Sequence, residues 1–64
     1  MHRLLMLVRM TVELVLRKID NALAMTPSLC HDKKTFAFFI RISCEANDLS
    51  PHEVDLVLSH YLSS

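Results

Sequence analysis

The sequence predicts an all-α protein with three helices, near residues 3–24, 33–46 and 51–62, that assembles as a homodimer. Three observations support this prediction. The 64 residues include no glycine and two prolines, and 52% of them are hydrophobic. The chain also lacks a pair of β-rich segments joined by a turn, which a hairpin would need. Finally, a chain of this length buries only about 60% of the surface that its unfolded form exposes, so a second copy is an expected source of stability.

Helix 1 is predicted by a run of helix-forming residues without Gly or Pro before Pro27. Ten of the thirteen residues from Leu4 to Leu16 are apolar, which is more than one face of a surface helix needs. Arg9, Glu13 and Arg17 recur every four residues and form the one polar stripe. We therefore expect the apolar surface to lie against a second chain. The predicted interface residues are Leu5, Val8, Val12, Leu16 and, from helix 2, Phe39.

Helix 2 is predicted to follow a connection of residues 26–32, with Asp32 as its N-cap. Periodicity alone leaves residues 35–44 open between helix and strand. The residues with strand-like alternation are Phe36, Phe38, Ile40, Ile42 and Cys44, whereas those with helical spacing are Phe36, Phe39, Ile40 and Ser43. A strand would have no partner in the chain, and a ribbon-helix-helix dimer would need two helices after it, so we favour a buried helix. Because Phe38 and Phe39 are adjacent, only one of them is expected to point fully inward.

Helix 3 has the clearest local signal in the chain. Ser50, Pro51 and Glu53 stand in the order of a capping box, with Ser50 as N-cap, Pro51 at the first helical position and Glu53 at the third. Apolar residues then recur at helical spacing, which predicts one packed face. These residues are Val54, Val57, Leu58, Tyr61 and Leu62.

Charge is balanced overall, with seven basic and seven acidic residues, but it is unevenly distributed. Residues 1–18 hold Arg3, Arg9, Arg17 and Lys18 against Glu13. Residues 45–55 hold four acids and no Lys or Arg; these acids are Glu45, Asp48, Glu53 and Asp55. This asymmetry is typical of solvated helix ends, and it also allows antiparallel pairing between opposite ends of two chains.

No residue pattern indicates an enzyme, a cofactor or a metal site. The four His and two Cys residues lack the spacing of two to five residues that is typical of structural zinc ligands. Cys30 and Cys44 could act as nucleophiles only beside an orienting histidine and carboxylate, and so small a chain has little volume for a pocket. Without glycine there is no phosphate-binding loop. We expect no catalytic residue, no cofactor and no metal ligand.

A small DNA-associated transcriptional regulator is the alternative function, because helices 2 and 3 with their short turn resemble a helix-turn-helix. Helix 3 argues against it, since residues 51–61 include two acids and no Arg, Lys, Asn or Gln for bases or phosphates. Binding to a membrane surface through helix 1 is a further alternative. However, Arg9, Glu13 and Arg17 interrupt any window of about twenty apolar residues, and no signal-peptide cleavage site follows the first apolar run. We expect a cytoplasmic protein.

Three features resemble the small enterobacterial YmgB/AriR regulators. They are the segment Ile19-Asp20-Asn21-Ala22-Leu23, an apolar helix that Lys34 opens and Glu45 ends, and a short helix with Val57-Leu58. The resemblance covers about residues 12–62, includes Ser43 among its few identities, and departs from the family at Thr26-Pro27 and in lacking a polar leader. It implies a helical dimer that acts in bacterial stress and biofilm signalling. The residue patterns and the resemblance both predict a regulator that binds a second copy of itself and another regulatory protein. It would act as a connector or antagonist of a transcription factor or signalling protein.

Overall fold

The computed structural model describes the backbone of residues 2–63 and the side chains of residues 10–63. It contains three α-helices, α1 (His2–Met25), α2 (Lys33–Ala46) and α3 (Pro51–Leu62), and a 3-10 turn at Pro27–Cys30 between α1 and α2. No strand occurs within residues 2–63. The all-α prediction and all three helices are therefore confirmed, with α2 and α3 at the predicted bounds.

The end of α1 follows from Pro27, which cannot donate a backbone hydrogen bond and disfavours helical geometry at Thr26. The Thr26 amide still donates to the Ala22 carbonyl at 2.8 Å, and Thr26 itself leaves the helix with φ −136°. Pro27 then takes the first position of the 3-10 turn, where its missing N–H costs nothing. This turn changes the direction of the chain, so that α2 can pack against α1.

The helical state of residues 33–46 resolves the ambiguity in the sequence pattern. Asp32 is the N-cap, as predicted: its carboxylate accepts hydrogen bonds from the Lys34 amide at 3.1 Å and the Thr35 hydroxyl at 2.8 Å. Residues spaced by four along α2 share one buried face, namely Phe36, Ile40 and Cys44. In a strand, Phe38 and Ile42 would have shared that face; in the helix they are exposed.

The turn between α2 and α3 is a Schellman motif without glycine. The Asp48 amide donates to the Glu45 carbonyl and the Leu49 amide donates to the Cys44 carbonyl, both at 3.1 Å. Asp48 has φ 57°, in the left-handed region that favours glycine. Leu49 is buried after the turn, so the motif both satisfies the last carbonyls of α2 and places an apolar side chain in the core.

Replacing Asp48 by Gly is expected to stabilise the protein by about 0.5–1 kcal/mol, because glycine adopts positive φ without the steric penalty of a Cβ atom. Urea unfolding followed by circular dichroism measures the change. Ala46→Gly, two residues earlier and in helical geometry, is the matched control and should destabilise by a similar amount. Destabilisation by Asp48→Gly would contradict the left-handed geometry of this turn.

The N-terminus of α3 is the predicted capping box. The Ser50 amide donates to Glu53 Oε1 at 2.8 Å, and the Glu53 amide donates to Ser50 Oγ at 3.3 Å. Two otherwise unpaired amides at the helix start are thereby satisfied. The start of α3 is therefore determined locally, by residues within four positions of one another.

The core lies where the three helices meet, and all the buried residues among the described side chains are apolar. They are Val15, Ile19, Phe36, Ile40, Cys44, Leu49 and Val57. The apolar residues predicted for the packed face of α3 contact this core: Val57 is buried, and the others are half-buried. Among the described side chains, each helix contributes one to three buried residues, as expected for so short a chain.

Two polar contacts of α1 lie outside the apolar core. The Tyr61 hydroxyl near the end of α3 is 2.6 Å from Asp20 Oδ1 and 3.0 Å from the Leu16 carbonyl oxygen. Near the C-terminus of α2, Lys18 Nζ donates to Asn47 Oδ1 at 3.1 Å. These hydrogen bonds join residues that are 29 to 45 positions apart in the chain, so they fix the orientation of α1 relative to the other two helices.

Candidate protein-interaction surfaces

The structure describes the side chains of three of the five predicted interface residues. The side chains of Leu5 and Val8 lie outside the described residues. Val12, Leu16 and Phe39 are half-buried and pack against the core of their own chain. Only the exposed part of each of these three side chains is accessible to a second chain. A partner that covers this part of α1 and α2 would therefore contact mainly other residues.

The outer face of α1 carries two large apolar side chains one helical turn apart. Met10 is 56% exposed and Leu14 is 52% exposed. Together with Glu13 and Arg17 they line a shallow depression. Glu13 and Arg17 are exposed, as the polar stripe predicted, whereas the side chain of Arg9 lies outside the described residues. This face combines apolar side chains with charges in the way that protein interfaces often do.

The outer face of α2 is also apolar. Phe38 is 66% exposed, and Ile42, one turn later, is 49% exposed. The sequence indicates that only one of two adjacent phenylalanines points inward, and the structure places the neighbouring Phe39 half-buried against the core. Sequence reasoning did not include Phe38 among the interface residues. The signal was its spacing: Phe38 lies two positions from both Phe36 and Ile40, hence on the opposite side of the helix.

An open groove of about 330 Å³ runs between α2 and α3. The apolar side chains that line it, which we call its floor, are Leu49, Pro51, Val54 and Leu58. Its charged rim is formed by Arg41, Glu45 and Asp55. The volume is at the lower end of the roughly 300–1,000 Å³ typical of ligand pockets, and the groove is open along one side. Such a shape fits side chains presented by another helix better than an enclosed small molecule.

The carboxylates on this rim are available to a partner. Glu45 and Asp55 are exposed, and within the described part of the chain neither carboxylate has a hydrogen bond or an ion pair. By contrast, the Glu53 carboxylate is occupied by the capping box. Two carboxylates against the single guanidinium of Arg41 leave the rim with a net negative charge. The predicted acidic segment of residues 45–55 thus contributes two of its four acids to one surface.

The two cysteines have opposite environments. Cys30 is exposed, and its thiol donates to the Pro27 carbonyl at 3.2 Å. Cys44 is fully buried, and this burial raises the pKa of its thiol above the ordinary value, with a further contribution from the negative charges of Glu45 and Glu53. A raised pKa disfavours the reactive thiolate, so Cys44 functions as a small apolar core residue.

Neither a cluster of metal-ligating side chains nor a membrane-spanning helix occurs among the described residues. No group of three or more His, Cys, Asp or Glu side chains converges there in an arrangement that could hold a metal ion. Among the same residues, no helix combines the length and apolar character that a membrane span requires.

Comparisons with models of known protein families, with curated proteins and with solved structures yield no match.

Proposed function

We propose that the protein is a small non-enzymatic regulator that acts by protein–protein contact, as a connector or antagonist of a transcription factor or signalling protein, and that it self-associates as a homodimer through α1. The observation that carries this proposal is the pair of exposed apolar rows, Met10 with Leu14 on α1 and Phe38 with Ile42 on α2. Apolar patches on the outer faces of helices favour association with other proteins.

The length of α1 supports its role in self-association. Its 24 residues extend about 36 Å, whereas the 14 residues of α2 and the 12 of α3 extend about 21 and 18 Å. Among the described side chains, those of α1 that contact the core lie between Val12 and Leu23. In sequence, Leu5 and Val8 continue the same helical spacing toward the N-terminus. This N-terminal half is the part that we expect a second copy to cover.

Self-association is also favoured by the small size of the core. The seven buried residues among the described side chains contribute modest apolar burial, and chains of this size commonly gain stability by oligomerisation. The resemblance to YmgB/AriR regulators implies a helical dimer as well, and it stays a prediction. The proposed regulator needs no catalytic group, because its activity consists of occupying a surface of its partner.

Light scattering on a size-exclusion column, in reducing buffer and over a range of concentrations, tests the self-association. We expect a mass of about twice 7.4 kDa. The double variant Leu5→Glu/Val8→Glu should be monomeric, because burying a carboxylate in an apolar interface is strongly unfavourable. Val12→Asp is a less informative variant, because Val12 also packs on the core of its own chain. This substitution would destabilise the folded protomer as well as the dimer.

Leu56→Glu is the control, because it makes one such Leu-to-Glu change at an exposed leucine of α3 and should leave the dimer intact. Circular dichroism of each variant verifies that the helices persist. A wild-type protein that stays monomeric at every concentration would contradict the proposed self-association. A dimer that persists in the double variant would instead show that the interface lies elsewhere.

A further inference from the structure

We infer that the groove between α2 and α3 binds the N-terminal segment of α1 from a second copy of the chain. This inference rests on the proposed self-association and specifies how it is arranged. The groove lining belongs to α2, α3 and the loop between them, and no described residue of α1 contributes to it. It is therefore a surface that residues 10–25 of the chain's own long helix leave open.

The apolar floor of the groove matches the apolar character of the incoming segment. Leu49, Pro51, Val54 and Leu58 line the floor. Five consecutive apolar residues, from Leu4 to Val8, stand near the start of α1. Because the groove is open, one helix can insert a few of these side chains while keeping its backbone outside.

The charges are complementary. Arg3 and Arg9 bracket the apolar segment, while Glu45 and Asp55 stand on the groove rim without a partner in the described part of their own chain. An arginine opposite a carboxylate attracts it and also orients the incoming helix. Arg41 lies one helical turn before Glu45 on α2 and disfavours a basic residue beside it, so we expect the incoming arginines next to Glu45 and to Asp55 of α3 rather than next to Arg41.

Two-fold symmetry allows the contact to occur twice. If α1 of one copy occupies the groove of its partner, the partner's α1 occupies the groove of the first copy by the same operation. Each dimer then contains two apolar contacts and two sets of charge pairs. This arrangement uses the basic and the acidic ends of the chain at the same time, which a direct contact between two α1 helices would not do.

Charge reversal on each side tests the contact. Glu45→Lys/Asp55→Lys reverses the groove, and Arg3→Glu/Arg9→Glu reverses the helix. Each double variant alone brings like charges together, and we expect its dimer to weaken by at least about tenfold. An equimolar mixture of the two variants should recover the wild-type dimer, because both contacts of the mixed dimer again join opposite charges.

Lys33→Glu/Lys34→Glu is the matched control for the helix variant. It makes the same change in net charge at exposed positions outside the groove and should leave the dimer unchanged. Light scattering at low ionic strength gives the masses, and circular dichroism verifies that each variant keeps its helices.

The outcomes separate this inference from the proposal on which it rests. A monomeric wild-type protein would overturn the self-association itself. A wild-type dimer that the groove variant leaves unchanged would overturn the groove contact and leave self-association standing. Two variants that are each monomeric and fail to dimerise when mixed would show that the charge pairing is wrong. Recovery of the dimer only in the mixture supports the inference.

Discussion

Replacing Ile40 by Ala is expected to remove most of the stability of this protein. Ile40 is fully buried at the centre of α2, and deleting a buried Ile side chain to Ala costs about 2–5 kcal/mol, through lost burial and the cavity that remains. A domain of this length has a total stability on the order of 3–10 kcal/mol. The variant should therefore show reduced helical circular dichroism at room temperature and a urea midpoint far below that of the wild type.

Ile42→Ala is the matched control for this prediction. It makes the same change two positions away, on the same helix, at a side chain that is half exposed. Substitutions at such sites usually change stability by about 0.5 kcal/mol or less. Both variants should be compared at one protein concentration, because self-association would add a concentration-dependent term to the stability. If Ile42→Ala lowered the stability more than Ile40→Ala, the face of α2 that carries Ile42 would be the one that packs on the core.

Replacing Tyr61 by Phe is expected to lower the free energy of unfolding by about 1 kcal/mol. The substitution keeps the ring, whose edge-to-face contact with Phe36 has a centroid distance of 5.7 Å, and removes only the hydroxyl. That hydroxyl makes the 2.6 Å contact with Asp20 Oδ1. Tyr61 is only partly buried and Asp20 is exposed, so solvent screening keeps the loss toward the lower end for a hydrogen bond to a charged group.

Tyr61 also makes the stability depend on pH in the alkaline range. Burial, together with the hydrogen bond to Asp20 and its negative charge, raises the pKa of the hydroxyl well above its ordinary value of 10. Below pH 10 the group is protonated in both the folded and the unfolded chain. As the pH rises above 10, the unfolded chain loses this proton while the folded chain retains it, so stability falls until the folded pKa is passed.

The measurement is simple because Tyr61 is the one tyrosine of a chain without tryptophan. Absorbance of the tyrosinate should appear in the native protein at a higher pH than in the urea-unfolded protein. The pH dependence of the free energy of unfolding of Tyr61→Phe gives the contribution of all other groups that titrate in this range. Asp20→Asn should keep a hydrogen-bond acceptor and lower the Tyr61 pKa partway. Identical tyrosinate titrations in the folded and unfolded chains would contradict the contact with Asp20.

Much of the local structure was predictable because its determinants are close together in the chain. The capping box requires residues within four positions, and Asp32 bonds to atoms two and three residues ahead. Pro27 ends α1 through its own covalent geometry. The choice between helix and strand for residues 33–46 was also predictable, because a strand would have had no partner to bond its backbone.

The surfaces were less predictable, because they depend on which neighbours cover each side chain. Val12, Leu16 and Phe39 have the apolar character of interface residues, yet they contact the core of their own chain. Phe38, with the same chemistry as Phe39, stays exposed. The difference comes from the rotation of α2 about its axis, and that rotation depends on how all three helices pack.

The amino-acid sequence by itself determined where the helices begin and end and that the protein is all-α, because capping, proline geometry and apolar spacing act over a few residues. Only the tertiary structure decided the contact between Tyr61 and Asp20, the groove beside Glu45 and Asp55, and the exposure of Phe38. These features join residues far apart in the chain. The distances between these residues depend on the angles between the helices. Those angles arise from the packing of the whole core and not from any short segment of the chain.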